Sequence, residues 1–245
     1  MNKILIIILL ILILFGVLVY IMINSNNEHY EDVENTLKNI QNKLKLDYGN
    51  FDTEVPEQIM AVKYIKGHEK VLEIGGNIGR NTMIIGYILN HNNNNNLVSL
   101  ESDTDISKQL IHNKELNKLD FYIENAALSK RQLIQKDWDT IVSEEVLEGY
   151  KKVNIITYDQ LINKYNINFD TLVLDCEGAF YYILMDMPEI LNNINLIIME
   201  NDYHDIEHKK YIDNILTKNN FKVDYEAGGG WGVCTDYFFQ VWIKK

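Results

Sequence analysis

The fold of this chain is decided by the stretch Val71-Leu72-Glu73-Ile74-Gly75-Gly76-Asn77-Ile78-Gly79. Residues 71–74 form a short, mostly apolar run that suits a buried strand, and glycines break the chain directly after it. An apolar-periodic segment follows over residues 83–89 and predicts a helix. Gly75 and Gly79 have no Cβ, so the backbone can turn sharply there and approach a ligand closely. Strand, glycine-rich turn and helix in this order predict a nucleotide-type cofactor site at the carboxyl end of a first parallel strand.

The spacing of the glycines separates two classes of cofactor. A dinucleotide site uses Gly-x-Gly-x-x-Gly around a pyrophosphate, whereas here Gly75 and Gly79 are four positions apart and Glu73 stands two before the first. The pattern Glu-x-Gly-x-x-x-Gly is similar to the first motif of class I S-adenosylmethionine-dependent methyltransferases. That cofactor has an amino-acid end and no pyrophosphate, so a carboxylate near the turn can serve its ammonium group. A purely structural turn with two permissive glycines stays open as the alternative.

The composition limits the classes of function. The chain has 245 residues and a formal net charge of −12 at pH 7, and it carries no basic stripe that would neutralise phosphates. We therefore expect no nucleic-acid partner. Cys176 and Cys234 are the only cysteines, so there is neither a disulfide framework nor a cysteine-based zinc site. We predict no metal site.

An apolar run covers residues 4–23, apart from Gly16 and Tyr20. A helix needs about 20 such residues to span a bilayer, and no small-residue cleavage pattern follows, as a secretory signal peptide would require. We predict an uncleaved transmembrane signal anchor over residues 1–24, hence a single-pass membrane protein. A cleaved signal peptide is the alternative. The lysines around the run do not decide on which side of the membrane the domain lies.

The next segment, residues 25–50, is predicted to be a stalk or helical linker. Its apolar residues recur at roughly helical spacing and are Val33, Leu37, Ile40, Leu44 and Leu46. We expect this stripe to pack on the following domain, with a short dimerising coiled coil as the alternative. Residues 51–245 then form the domain, and its oligomeric state is not predicted.

The rest of the chain predicts alternating strands and helices. Further strands are expected at 97–101, 121–124, 172–174 and 196–200, with a closing pair at 221–225 and 237–243. Residues 130–153 are expected to form an insertion or paired outer strands. The alternation predicts an α/β fold, a Rossmann-like sheet of the class I methyltransferase type. It is mostly parallel with the last strand antiparallel, and helices cover both faces.

Polar residues follow the predicted strands where a ligand crevice is expected. Glu101 ends the second strand, where a carboxylate can accept both ribose hydroxyls of a nucleoside. Asn125 follows the third strand, where an amide can bind an adenine edge. Asp175 and Glu177 follow the strand at 172–174 and suit acid/base or hydroxyl-orienting work. Helix capping is the alternative for Glu101 and Glu177, and a plain polar turn is the alternative for Asn125.

Two further candidates lie near the C-terminus. His204 follows the strand at 196–200, and its neutral imidazole can act as a base for a hydroxyl. The glycine-rich loop at 228–232 can cover the pocket, with Trp231 in contact with the acceptor. A solvated histidine and a plain hairpin loop are the alternatives. Cys176, between the two carboxylates, is expected to be a packed small residue rather than a nucleophile.

Over roughly residues 68–201, the chain resembles the FkbM family of methyltransferases. The resemblance is carried by Gly75-Gly76-Asn77-Ile78-Gly79, Glu101, Asn125-Ala126-Ala127-Leu128-Ser129, Thr157-Tyr158-Asp159-Gln160-Leu161 and Asp175-Cys176-Glu177-Gly178-Ala179. The family is similar to other S-adenosylmethionine-dependent O-methyltransferases, which act on hydroxyls of sugars, glycolipids and polyketide-type products.

The resemblance implies S-adenosylmethionine as the cofactor and roles for individual residues. The implied cofactor-binding residues are Glu73, Gly75, Gly76, Asn77, Gly79, Glu101, Asn125, Ala126 and Asp175. Glu73 and the glycine-rich turn would line the methionine end, Glu101 would hold the ribose, and the residues at 125 and 126 would lie by the adenine. Asp175 and Glu177 would face the methyl group and the acceptor. With His204 they form the predicted catalytic set.

The sequence therefore predicts a membrane-anchored S-adenosylmethionine-dependent O-methyltransferase. Its acceptor would be a hydroxyl of a sugar, glycan, lipid or similar small molecule, and residues 4–23 would bind the membrane. The alternative is a catalytically degenerate, methyltransferase-like interaction module held at a membrane. Phe180 favours that alternative, because a second acid often stands there in the family. A nicotinamide-dependent oxidoreductase would need the dinucleotide spacing, which is absent.

Overall fold

A computed structural model describes residues 11–13, 15 and 32–245. Apart from four positions, the transmembrane helix predicted over residues 4–23 lies outside the described residues. Among the described residues, no helix combines the length and apolar character that crossing a bilayer requires.

The described strands and helices follow the predicted alternation. The strands are β1 (Val71–Ile74), β2 (Leu97–Leu100), β3 (Tyr122–Glu124), β4 (Ala127–Leu128), β5 (Leu133–Lys136), β6 (Asp139–Val142), β7 (Lys151–Lys152), β8 (Ile155–Ile156), β9 (Thr171–Leu174), β10 (Leu196–Glu200), β11 (Phe221–Ala227) and β12 (Phe239–Lys244). The helices are α1 (Val55–Tyr64), α2 (Arg80–His91), α3 (Thr104–Asn117), α4 (Tyr158–Tyr165), α5 (Phe180–Asp186) and α6 (Ile206–Lys218). Residues 32–41 are also helical, and 3₁₀ turns span Pro188–Leu191 and Gly232–Tyr237.

The main sheet of the described residues has the strand order β11-β12-β10-β9-β1-β2-β3. Strands β1, β2, β3, β9 and β10 pair in parallel. Strand β12 runs antiparallel to both of its neighbours, β10 and β11. This arrangement confirms the predicted Rossmann-like α/β fold, mostly parallel with an antiparallel last strand.

The insertion predicted at 130–153 forms outer strands. Strand β5 pairs antiparallel with β6 and β7, while β4 and β8 form a short parallel pair. Where β8 ends, Thr157 caps α4. Its side chain accepts from the backbone N–H of Gln160, whose own side chain accepts from the backbone of Thr157. Such a reciprocal capping box satisfies the donors at the start of a helix.

Apolar residues are buried on both faces of the main sheet. Alternate residues of one strand point to opposite faces, so Leu72 and Val71 of β1 belong to different core clusters. Helices α4, α5 and α6 contribute to the Leu72 cluster, and α1, α2 and α3 contribute to the Val71 cluster. This confirms that helices cover both faces of the sheet.

The segment before α1 packs into this domain. Its buried residues all belong to the Val71 cluster and are Val33, Leu37, Ile40 and Leu44. The carbonyl and amide groups of Lys45 also bond to the side chain of Asn117 at the end of α3. Residues 33–45 therefore contribute to the core of the domain.

The strand order creates a crevice beside β1. From β1 the chain continues to β2 and β3 on one side, and then crosses to β9 on the other side. In open α/β sheets, ligands bind outside the carboxyl ends of the strands at such a switch point. The glycine-rich turn after β1 lies at this position.

Candidate active site

The glycine-rich turn is held close to the end of β9. Gly75 has φ +91°, and a Cβ built on it would lie 1.6 Å from the backbone oxygen of Asp175. The backbone N–H groups of Gly75 and Gly76 both donate to the carbonyl of Leu100, at 3.0 and 2.8 Å. Glycine is therefore required at position 75 because the protein's own backbone approaches there.

Gly79 has a different environment. It begins α2 in the left-handed conformation, with φ +98°. A Cβ at this position would lie 2.5 Å from the side chain of Leu110 and 2.8 Å from that of Met83. Gly79 thus permits close packing of the turn against α2 and α3, in addition to the sharp turn that its sequence position predicts.

Glu101 lies directly beside the turn. It is 6% exposed, its Oε2 accepts from the backbone N–H of Asn77 at 2.9 Å, and its Oε1 accepts from that of Asp103 at 2.8 Å. Burial raises the pKa of Glu101, while these two N–H groups oppose the rise. A carboxylate has about four acceptor positions, so both oxygens retain capacity for the hydroxyls of a ribose.

The side chain of Asn125 is engaged inside the protein. Its Nδ2 donates to the carbonyls of Glu101 and Ser102, and its Oδ1 accepts from the hydroxyl of Thr104. The next residue, Ala126, is 3% exposed and packs in the core. The side-chain bonds of Asn125 fix the loop after β3 against Glu101. That these two residues lie by an adenine stays a prediction.

Glu73 is a buried carboxyl group in the middle of the site. It is 2% exposed, and its Oε2 accepts hydroxyl donors from Thr82 at 2.6 Å and Ser99 at 2.5 Å. Burial raises the pKa of Glu73 to about 7, although both hydroxyls oppose the rise. The side chain is therefore part of an internal network and also lines the cavity described next.

A cavity opens at the carboxyl ends of β1 and β9. It is lined by Glu54, Glu57, Glu73, Gly75, Gly76, Asn81, Val173 and Asp175, and we call it the acid cavity. Burial and the charges of Glu54 and Asp202 raise the pKa of Asp175 well above its usual range. Glu54 is paired with Arg80, at 2.6 Å between Oε1 and Nη1.

Helix α1 contributes two acids to this cavity that the sequence motifs do not indicate. Glu54 occupies the N-cap position of α1, and Glu57 lies in the first turn of this helix. Glu57 is hydrogen-bonded to Glu200 at the end of β10, and burial together with this bond raises the pKa of Glu200 far above its usual range. Pro56 lies at the start of α1, but no spacing in the sequence indicates that the acids of this helix reach the site.

Asp202 is a further residue of the site that no sequence motif indicates. It is 3% exposed, and among the described residues its Oδ2 has no hydrogen-bond partner. Burial raises the pKa of Asp202 to about 7, and the backbone N–H groups of Gly178 and Glu177 oppose the rise. The only sequence signal was its position just beyond the end of β10.

Glu177, His204 and Trp231 form the more exposed part of the site. Glu177 has φ +50°, a left-handed conformation that is uncommon for this residue type and occurs at functional turns. Burial raises the pKa of Glu177, and the charge of His204 opposes this. The His204 ring lies 4.7 Å from the Trp231 indole, centroid to centroid. These side chains are thus brought together, and their catalytic roles stay predictions.

Cys176 lies partly buried between Asp175 and Glu177. Burial and the charges of Asp202 and Asp175 raise the pKa of the Cys176 thiol well above its usual value. A thiol needs deprotonation to act as a nucleophile, and the surrounding acids oppose it. This environment suits the predicted role of Cys176 as a packed residue.

The structure thus gathers most of the predicted site residues in one crevice. Glu73, Gly75, Gly76 and Asp175 line the acid cavity, and Asn77 connects it to Glu101. The cavity is acidic and the Glu101 carboxylate adjoins it. These features fit a ligand that carries a positive charge at one end and vicinal hydroxyls at the other.

Comparisons with known proteins support the fold. No protein-family model matches the chain, and no curated protein matches it. Among solved structures, an uncharacterized protein from Listeria monocytogenes serotype 4b has a TM-score of 0.50 and 12% identity, over 79% of this chain and 68% of that one. An O-methyltransferase from Bacillus cereus in complex with SAH has a TM-score of 0.48 and 15% identity, over 88% and 90%. A methyltransferase from Pyrococcus furiosus has a TM-score of 0.47 and 14% identity, over 90% and 98%. The similarity to the Listeria protein concerns the fold only.

Proposed function

We propose that this protein is an S-adenosylmethionine-dependent O-methyltransferase. The observation that carries the proposal is the position of Glu101, which is hydrogen-bonded to the glycine-rich turn at the switch point of the sheet. A carboxylate there can accept both hydroxyls of the cofactor's ribose.

The charge of the acid cavity favours this cofactor over a dinucleotide. S-Adenosylmethionine carries a sulfonium and an ammonium group, and both are attracted by the carboxylates of Glu57 and Asp175. The pyrophosphate of NAD would be repelled by the same groups. The cavity therefore supports a methyltransferase and disfavours a nicotinamide-dependent oxidoreductase.

Bound S-adenosylmethionine supplies an activated methyl group, and the protein's task is orientation and proton removal. Asp175 and Glu177 lie at the end of β9, where they orient the acceptor hydroxyl. The raised pKa of Asp175 makes its carboxylate a better proton acceptor. His204 is the second candidate base, and Trp231 shields the acceptor side from water.

We further propose the finer assignment, membership of the FkbM family and attachment to a membrane by residues 4–23. The motifs from the glycine-rich turn to Asp175-Cys176-Glu177-Gly178-Ala179 support the family. The length of the apolar run supports the anchor. A hydroxyl of a sugar, glycan or lipid is the acceptor class that this assignment favours.

The first test is calorimetric titration of the full chain, in detergent micelles, with S-adenosylmethionine and with NAD. Micromolar binding of the first alone supports the proposal, and binding of NAD alone overturns it. A folded protein that binds neither is the degenerate interaction module. Transfer of a labelled methyl group to sugar and lipid acceptors then tests the reaction. There, Glu177→Gln is expected to lower turnover by about 100-fold and to keep the affinity for SAH.

A further inference from the structure

The acid cavity contains acceptors that the protein itself does not fill. Within the described part of the chain, Oε2 of Glu57 and Oδ1 of Asn81 are buried without a hydrogen-bond partner. Both residues line the cavity, and Glu57 is 8% exposed. Buried polar atoms are almost always hydrogen-bonded, so two such acceptors in one cavity indicate a ligand that donates hydrogen bonds.

The charges around the cavity indicate that the donor is a cation. Glu54 is neutralised by Arg80. Glu57 and Asp175, in contrast, form no ion pair with any side chain of the described residues. Glu57 also shares a hydrogen bond with Glu200, and burial together with this bond raises the pKa of Glu200 far above its usual range. One shared proton occupies one of the roughly four acceptor positions of a carboxylate.

The arrangement of the acids indicates an ammonium group rather than a metal ion. Across the described residues, no group of three or more His, Cys, Asp or Glu side chains is arranged to hold a metal. An ammonium group has three N–H donors and no acceptor, which matches a cavity whose unfilled atoms, on Glu57 and Asn81, are acceptors.

We propose that the acid cavity is an ammonium subsite and that Glu57 of α1 is its specificity-determining residue. The inference rests on the proposed function, because the ammonium group is then the α-amine of S-adenosylmethionine. Glu57 lies outside the glycine-rich turn, and it selects a cofactor that carries an amino-acid end.

The test compares two ligands that differ in this end. SAH contains the α-amine, whereas 5′-deoxy-5′-methylthioadenosine keeps the adenine, ribose and sulfur and lacks the amino-acid part. Both are titrated calorimetrically into the full chain, into Glu57→Gln, and into the exposed Glu115→Gln as the control for a lost charge. Circular dichroism verifies that each variant is folded.

Glu57→Gln is expected to weaken SAH binding by about 10-fold or more and to leave the affinity for methylthioadenosine within about twofold. Glu115→Gln is expected to match the wild type with both ligands. The inference is overturned if Glu57→Gln binds SAH like the wild type, or if it loses both ligands equally. If the wild type binds neither ligand, the proposed function itself fails and the inference fails with it.

Discussion

The backbone N–H of Asn77 donates a 2.9 Å hydrogen bond to Oε2 of Glu101. This bond joins the glycine-rich turn after β1 to the end of β2. Asn77 has φ +47°, so its N–H is directed by a left-handed backbone that the turn maintains. The carboxylate that is proposed to bind a ribose is therefore oriented by the same turn that is proposed to bind the cofactor's methionine end.

Replacing Glu101 tests the ribose assignment. Glu101→Gln keeps the shape and one acceptor but removes the charge, so the bonds to both hydroxyls weaken. We expect the dissociation constant of SAH to rise by about 10- to 100-fold, since a hydrogen bond to a charged group contributes about 1.5–3 kcal/mol. Calorimetry measures the change, and the exposed Asp105→Asn is the control. Unchanged affinity in Glu101→Gln would exclude Glu101 from the ribose site.

Gly75 provides a test of the turn. Gly75→Ala puts a Cβ 1.6 Å from the Asp175 backbone oxygen at φ +91°, so the ends of β1 and β9 must separate. We expect the free energy of unfolding to fall by more than about 3 kcal/mol, as for other severe steric changes. Urea unfolding measures it.

Gly149→Ala is the matched control for Gly75→Ala. Gly149 also has a positive φ, +79°, but the nearest atom to its added Cβ is 3.5 Å away, on the Lys136 side chain. Gly149→Ala is expected to lower the free energy of unfolding by about 1–2 kcal/mol, the cost of the left-handed backbone alone. Equal losses in the two variants would contradict the steric role of Gly75.

Glu73 is expected to make stability depend on pH. The pKa of Glu73 rises from 4.5 in the unfolded chain to about 7 in the fold. Its contribution to the free energy of unfolding is therefore fully present below pH 4.5 and is lost as the pH rises through 7. The difference amounts to about 3 kcal/mol. Glu73→Gln removes this titration. Between pH 4.5 and 8, the free energy of unfolding of the wild type should therefore fall by about 3 kcal/mol more than that of the variant.

Urea unfolding at a series of pH values measures the Glu73 effect. The exposed Glu144→Gln is the control for a lost charge, and its pH profile is expected to run parallel to that of the wild type. Parallel pH profiles for the wild type and Glu73→Gln would show that burial does not raise the pKa of the Glu73 carboxyl group.

The parts of the fold with strong local signals were predictable from the sequence. The strand and glycine-rich turn around Gly75 follow from the local apolar pattern and from the backbone freedom of glycine. The strand at 196–200 was predicted with its observed ends, because its continuous apolar run acts locally.

The site was predictable only where its residues follow a strand or the glycine motif. Glu57 and Glu200 meet because α1 and β10 pack together, a contact between distant parts of the chain that no local spacing encodes. For Asn125, the position beyond β3 was predictable from the sequence. The hydrogen bonds of its amide to the carbonyls of Glu101 and Ser102 were not, because they depend on the tertiary packing. Sequence patterns located the crevice, and packing decided which acids fill it.

Leu37 tests whether the segment before α1 is part of the domain. Its side chain is 3% exposed in the same cluster as Val71, so Leu37→Ala removes buried apolar contacts. We expect a loss of about 2–5 kcal/mol in the free energy of unfolding. Glu34→Ala, an exposed change in the same segment, is expected to cost less than about 0.5 kcal/mol.

Urea unfolding of the wild type and of Leu37→Ala at two protein concentrations distinguishes packing of this segment on its own domain from a dimerising coiled coil. If its apolar stripe packs on its own domain, the loss does not depend on concentration. If the stripe instead forms a dimerising coiled coil, the stability of the wild type increases with concentration, because association stabilises the folded state by mass action. A loss below about 0.5 kcal/mol at both concentrations would make the segment a stalk that the domain does not need. The burial of Leu37 against the Val71 cluster favours the first outcome, since the same side chain cannot face a partner helix.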